Sequence, residues 1–130
     1  MRIHAFLAVL MLALALPAAA ATANFQGNCD PSSFPTDCIF DPTRTPAGET
    51  GTACPGSSVK KYFWDFGDGS SQFVTPPPSQ TSHTYTSFLT TDVCLTVFCN
   101  NNTTSPTKCH CFSNLVGLPN CILPGLGWSP

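Results

Sequence analysis

Trp64-Asp65-Phe66-Gly67-Asp68-Gly69-Ser70 is the stretch whose reading decides the fold. Followed back to Val59, it closes a strand: by the two-residue period of extended chain, Trp64 and Phe66 share one face, and Phe63 and Asp65 share the other. Asp68-Gly69 then turns the chain, because glycine accepts positive φ and aspartate bonds its own backbone. Ser71 to Thr75 returns as a strand and runs into Pro76-Pro77-Pro78. Three prolines cannot join a central ladder, so this piece is expected at a sheet edge or as a bridge between sheets.

Downstream come His83-Thr84-Tyr85 and then Asp92 to Cys99, the best strand pattern in the chain, with Val93, Leu95 and Val97 toward the core and Cys94, Thr96 and Phe98 away from it. Asn100 to Pro106 reads as a polar hairpin loop. Thr107 to Phe112 reads as the returning strand, with Cys109 and Cys111 on one face and His110 on the other. Upstream, Asn24 to Asp37 is a polar lead tied down by Cys29 and expected to form one irregular edge strand. Cys38-Ile39-Phe40 starts a short strand, and Pro42 to Ser58 forms a long loop punctuated by Pro and Gly. Amphipathic helical periodicity is absent after residue 23, so the expected class is all-β.

Three motifs, W-D-F-G-D-G at Trp64, Asp65, Phe66, Gly67, Asp68 and Gly69, H-x-Y at His83 and Tyr85, and V-x-L-x-V at Val93 to Val97, together resemble the signature of the polycystic-kidney-disease-type (PKD) domain. The resemblance covers roughly residues 39 to 113 and implies an immunoglobulin-like antiparallel β-sandwich. It implies no chemistry, since the family serves mostly as extracellular binding or spacer modules. The chain departs from the family where Leu89 and Thr91 replace a usual Gly and aromatic residue, in the long segment between Gly69 and His83, and in its eight cysteines. In such a sandwich, the loop entering the Trp64 strand and the loop leaving the 92–99 strand share an end. A Cys54–Cys99 bridge is therefore expected there, and the loops Gly48 to Ser57 and Asn100 to Pro106 are expected to form a binding surface. Cys94 should meet Cys109 or Cys111, leaving Cys29, Cys38 and Cys121 to compete for the remaining positions.

Residues 1–23 read as an export signal. Arg2 gives a positive start, Ala5 to Leu16 is an unbroken apolar run, and a string of alanines after Pro17 offers A-x-A cleavage options. The expected cut follows Ala23, with Ala20 and Ala21 as alternatives. The run is shorter than the roughly 20 residues of a bilayer span, so the mature chain is expected to be free of the membrane. The remaining 107 residues suit one domain, here divided into a lead at 24–37, a PKD-like domain at 38–113 and a Gly/Pro-rich tail at 114–130 stapled by Cys121. That chain has four basic against seven acidic side chains, a net charge of −3, which makes nucleic acid an unfavourable partner. All eight cysteines lie beyond the signal, and an even count in a small exported chain reads as a disulfide framework. The expected location is extracellular or periplasmic.

The residues with possible chemistry each have a plainer role. Asp65 and Asp68 could offer oxygens to Ca²⁺, but carboxylates in that spacing also fix a turn by accepting backbone N–H groups. Cys109-His110-Cys111 has metal-binding residue types, yet strand alternation sends His110 away from both sulfurs. No nucleophile elbow, zinc-protease helix motif or phosphate loop occurs. Asn101 and Asn102 each begin an N-x-T sequon. The expectation is a protein with no catalytic residue, metal or cofactor, which binds an extracellular protein or polysaccharide. The alternatives are a structural subunit of a surface layer or fibre, or a disulfide-rich inhibitor or effector.

Overall fold

A computed structural model describes residue 17, residues 19–30, residue 32, and residues 34–87, 90–113, 122–123 and 127–128. Most of the export segment, Leu89, Cys121 and most of the tail lie outside the described residues. Among those described there is no helix, and seven strands form two antiparallel sheets. Strands β1 (Gln26–Cys29), β2 (Thr36–Asp41) and β5 (Thr81–Tyr85) make one sheet in the order β1-β2-β5. The other runs β4-β3-β6-β7, built from β3 (Val59–Asp65), β4 (Ser71–Val74), β6 (Thr90–Cys99) and β7 (Lys108–Ser113). This is the A-B-E against C′-C-F-G arrangement of an immunoglobulin-like sandwich. A separate two-stranded ladder pairs β8 (Ile122–Leu123) with β9 (Gly127–Trp128).

The expected alternation holds along β3 and β6. Tyr62, Trp64, Val93, Leu95 and Val97 are buried, as is Phe66 just past the end of β3. The triple proline follows β4, which is an edge strand as its ladder-breaking sequel requires. Small shifts occur at the ends: β6 begins at Thr90, two residues before the expected start, and β2 begins at Thr36, so the boundary drawn between lead and domain falls inside a strand.

Between the sheets lies a core of rings. Phe25 meets Trp64 edge to face at 4.9 Å, Phe40 lies 5.8 Å from both Trp64 and Phe66, and Phe112 meets Phe40 at 5.3 Å. Phe25, Phe40 and Phe112 all come from outside the three motifs and supply aromatic volume that Thr91 does not. Gly27 makes room for this packing, because a Cβ there would fall 2.5 Å from the Phe112 ring. Trp64 is fully buried, and its Nε1 finds no hydrogen-bond partner among the described residues. Such an unmet donor costs about 1–3 kcal/mol, which the ring contacts must outweigh.

Three disulfides join pairs of cysteines that both lie among the described residues. Cys54–Cys99 is the bridge expected from the shared-end argument, with Cα atoms 5.7 Å apart. Cys94 pairs with Cys109 directly across β6 and β7, and Cys29 with Cys38 across β1 and β2. Cys111 is also disulfide-bonded. The inter-sheet disulfide of antibody domains has no counterpart in these three bridges: Cys38 faces the core but bonds along its own sheet.

Candidate functional site

The W-D-F-G-D-G turn and the H-x-Y residues converge at one end of the sandwich. After β3, Gly67 and Gly69 adopt φ of 77° and 92°, and Asp65 Oδ1 accepts the Gly67 N–H at 3.0 Å. Asp68 Oδ1 accepts the Ser70 N–H at 3.0 Å and the Ser70 hydroxyl as well, while Asp68 Oδ2 lies 2.7 Å from His83 Nε2. The His83 ring stacks on Phe66 with centroids 4.1 Å apart, and Tyr85 donates its hydroxyl to the Phe66 carbonyl at 2.9 Å. Both carboxylates therefore act as turn-fixing acceptors. Among the described residues no group of three or more His, Cys, Asp or Glu side chains could hold a metal ion.

Electrostatics at this end fits the same role. Burial alone would raise the Asp68 carboxyl, but the bonds from Ser70 and His83 and the charge of His83 outweigh it and hold the group below its ordinary value of 3.8. Tyr85 moves the other way. Burial first, then the charges of Asp68 and Asp65, push its phenol well above 10, so it remains a hydrogen-bond donor throughout the physiological range.

Ser70, His83 and Asp68 share the residue types of a hydrolytic triad without its geometry. A triad needs one imidazole nitrogen on the carboxylate and the other on the hydroxyl. Here Nε2 faces both, at 2.7 Å from Asp68 and 3.3 Å from Ser70, and the Ser70 hydroxyl already donates to the carboxylate. The arrangement lacks the carboxylate–imidazole–hydroxyl relay of a triad.

At the opposite end the two loops expected to meet do so. Besides Cys54–Cys99, Asn100 donates its backbone N–H to the Ser58 carbonyl at 2.9 Å and its side-chain amide to Ser58 Oγ at 2.8 Å, and Asn101 N–H reaches Ser57 Oγ at 3.1 Å. Asn101 Oδ1 accepts from Thr103 N–H and Oγ1, and Asn102 turns with φ of 63°.

Adjoining this end, the outer face of the four-stranded sheet carries an aromatic platform that motif reading missed. Phe63 pairs with Phe73 across β3 and β4, with rings 4.8 Å apart, and Phe73 lies 6.3 Å from Phe98. Phe73 is 55% exposed. The Lys61 ammonium lies 4.2 Å from the Phe73 ring centre and 5.1 Å from that of Phe98. Thr96, opposite Phe63 on β6, shares a hydrogen bond with Thr107 at 2.8 Å. The signal for this platform was present, because strand alternation already sends Phe63 and Phe98 outward. What alternation lacked was the register that sets Phe73 beside them.

No protein-family model matches the sequence, and no curated protein matches it. The likeness to PKD domains thus rests on the three motifs around Trp64, His83 and Val93.

Proposed function

We propose that this chain is an exported, non-enzymatic, PKD-like binding module, and that its ligand is an extracellular polysaccharide or protein held on the outer face of the four-stranded sheet at the end closed by Cys54–Cys99. One observation carries the reading: Phe63, Phe73 and Phe98 form a contiguous ring cluster on the outer face of the sheet, exposed at Phe73 and half-buried at Phe63 and Phe98, with Lys61 across it. An exposed ring backed by half-buried neighbours makes an apolar patch, and such patches commonly mark interaction surfaces. Flat rings beside hydroxyl and amide groups suit a sugar, which has an apolar C–H face and a rim of hydroxyls. This favours the polysaccharide over the protein. The disulfide framework supports a non-reducing location.

Co-sedimentation of the oxidised protein with a panel of insoluble wall polysaccharides tests this, with Phe73→Ser as the partner variant. Depletion of the wild type but not of Phe73→Ser is expected, at nearly equal melting temperatures. Binding unaffected by Phe73→Ser would move the site elsewhere. Concentration-dependent oligomers in place of polysaccharide binding would favour the surface-layer subunit.

A further inference from the structure

The segment Ala21 to Phe25 belongs to the folded body, and its burial bears on where a precursor can be cut. Ala19 and Ala20 are exposed, whereas Ala21 is only 4% exposed and packs in the core cluster. Thr22 forms an antiparallel bridge with Ala53: Thr22 N–H donates to the Ala53 carbonyl at 3.0 Å, and Ala53 N–H to the Thr22 carbonyl at 3.1 Å. The Thr22 hydroxyl adds a bond to the Gly51 carbonyl at 2.7 Å. Asn24, 2% exposed, is a polar hub. Its amide donates to Glu49 Oε2 and the Thr50 carbonyl, both at 2.8 Å, and its Oδ1 accepts from Phe25 N–H at 2.9 Å and from His110 Nε2 at 2.7 Å.

The sequence permits three cuts, because each of Ala20, Ala21 and Ala23 has an alanine two positions before it, as a leader peptidase requires. They differ in what they remove from the fold. A cut after Ala23 deletes the whole Thr22 bridge, leaves the Ala53 N–H and carbonyl without those partners, and puts a charged α-amine on Asn24, whose N–H is held 2.9 Å from Thr52 Oγ1. A cut after Ala21 removes a buried core residue and charges the Thr22 nitrogen that donates to Ala53. A cut after Ala20 leaves Ala21, the Thr22 bridge and the Asn24 contacts in place.

We infer that the precursor is processed between Ala20 and Ala21, so that the mature chain opens with a short pairing segment docked on the 50–53 stretch of the long loop. This rests on residues 1–20 serving as an export leader. N-terminal sequencing of the protein secreted from an export-competent host, expressed as the full precursor, tests both parts. Ala21 as the first residue is the expected result. Thr22 or Asn24 in first place overturns the assignment, and a chain that keeps residues 1–20 overturns the leader reading beneath it. Two oxidatively refolded chains give a second readout: one beginning at Asn24 should melt about 5 °C or more below one beginning at Ala21. Equal melting temperatures would show that the Thr22 bridge is dispensable and remove the structural ground for the assignment.

Discussion

The two ends of this sandwich are secured by different means. At the motif end, Asp65, Asp68, Ser70, His83 and Tyr85 hold the chain through hydrogen bonds, and the carboxylates are occupied by partners within the fold. At the other end, a covalent bridge from Cys54 to Cys99 ties the chain, and hydroxyls and amides of Ser57, Ser58, Asn100 and Asn101 knit the loops around it. An end held by side-chain polar groups has committed them to structure. An end held by a disulfide can keep neighbouring surface for a partner, and the Lys61–Phe73–Phe98 cluster lies toward that side of the sheet.

Replacing the largest ring between the two sheets should have the largest effect. Trp64→Ala removes a fully buried ring that touches Phe25 and Phe40, at an expected cost of about 3–5 kcal/mol. In a thermal melt it should rank below both Phe73→Ser and Asp68→Asn. A loss near that of a surface change would mean that the two sheets do not depend on this contact.

The covalent end can be broken separately. The double variant Cys54→Ser/Cys99→Ser opens a 45-residue separation whose closure contributes about 4 kcal/mol in the chain-entropy account. Denaturant titration should show that loss. Polysaccharide binding should weaken as well, since the loops beside the platform lose their anchor. A variant that is destabilised but binds at full strength would detach the loop end from the site.

Much of this was legible in the sequence because strand alternation and turn chemistry are local. The inward set Trp64, Phe66, Val93, Leu95 and Val97, the glycine turns and the outward Cys94 all follow from period two and from φ preferences. Cys54–Cys99 was legible once a sandwich was granted, since topology alone sets which loops share an end. Phe25 in the core, the Asn24–His110 contact and Phe73 beside Phe63 were not legible. Each depends on a partner far away in sequence or on a register that single-strand patterns leave open.

The smallest effects sharpen the contrast most, because they distinguish a turn clasp from a ligand site. Asp68→Asn removes a charge that accepts from Ser70 and His83, at an expected cost of about 1–2 kcal/mol, while binding to polysaccharide should be unchanged. The cost should depend on pH in one direction. Asp68 has its pKa lowered on folding, so its contribution is present above the ordinary value of 3.8 and is lost as pH falls through the still lower folded value. Glu49, held down chiefly by the Asn24 amide, and Asp41, held down against burial by Thr43, Gln80 and Arg44, should lose their contributions over the same acid range. Wild-type stability should thus decline as pH drops below about 4, and the gap between wild type and Asp68→Asn should close as pH falls from the ordinary value of 3.8 through the lower folded one. Melting curves of both proteins across that interval check the sign. A gap that stays constant into acid would show that the Asp68 carboxylate is not what holds the turn, and would reopen the motif end as a place where a ligand could act.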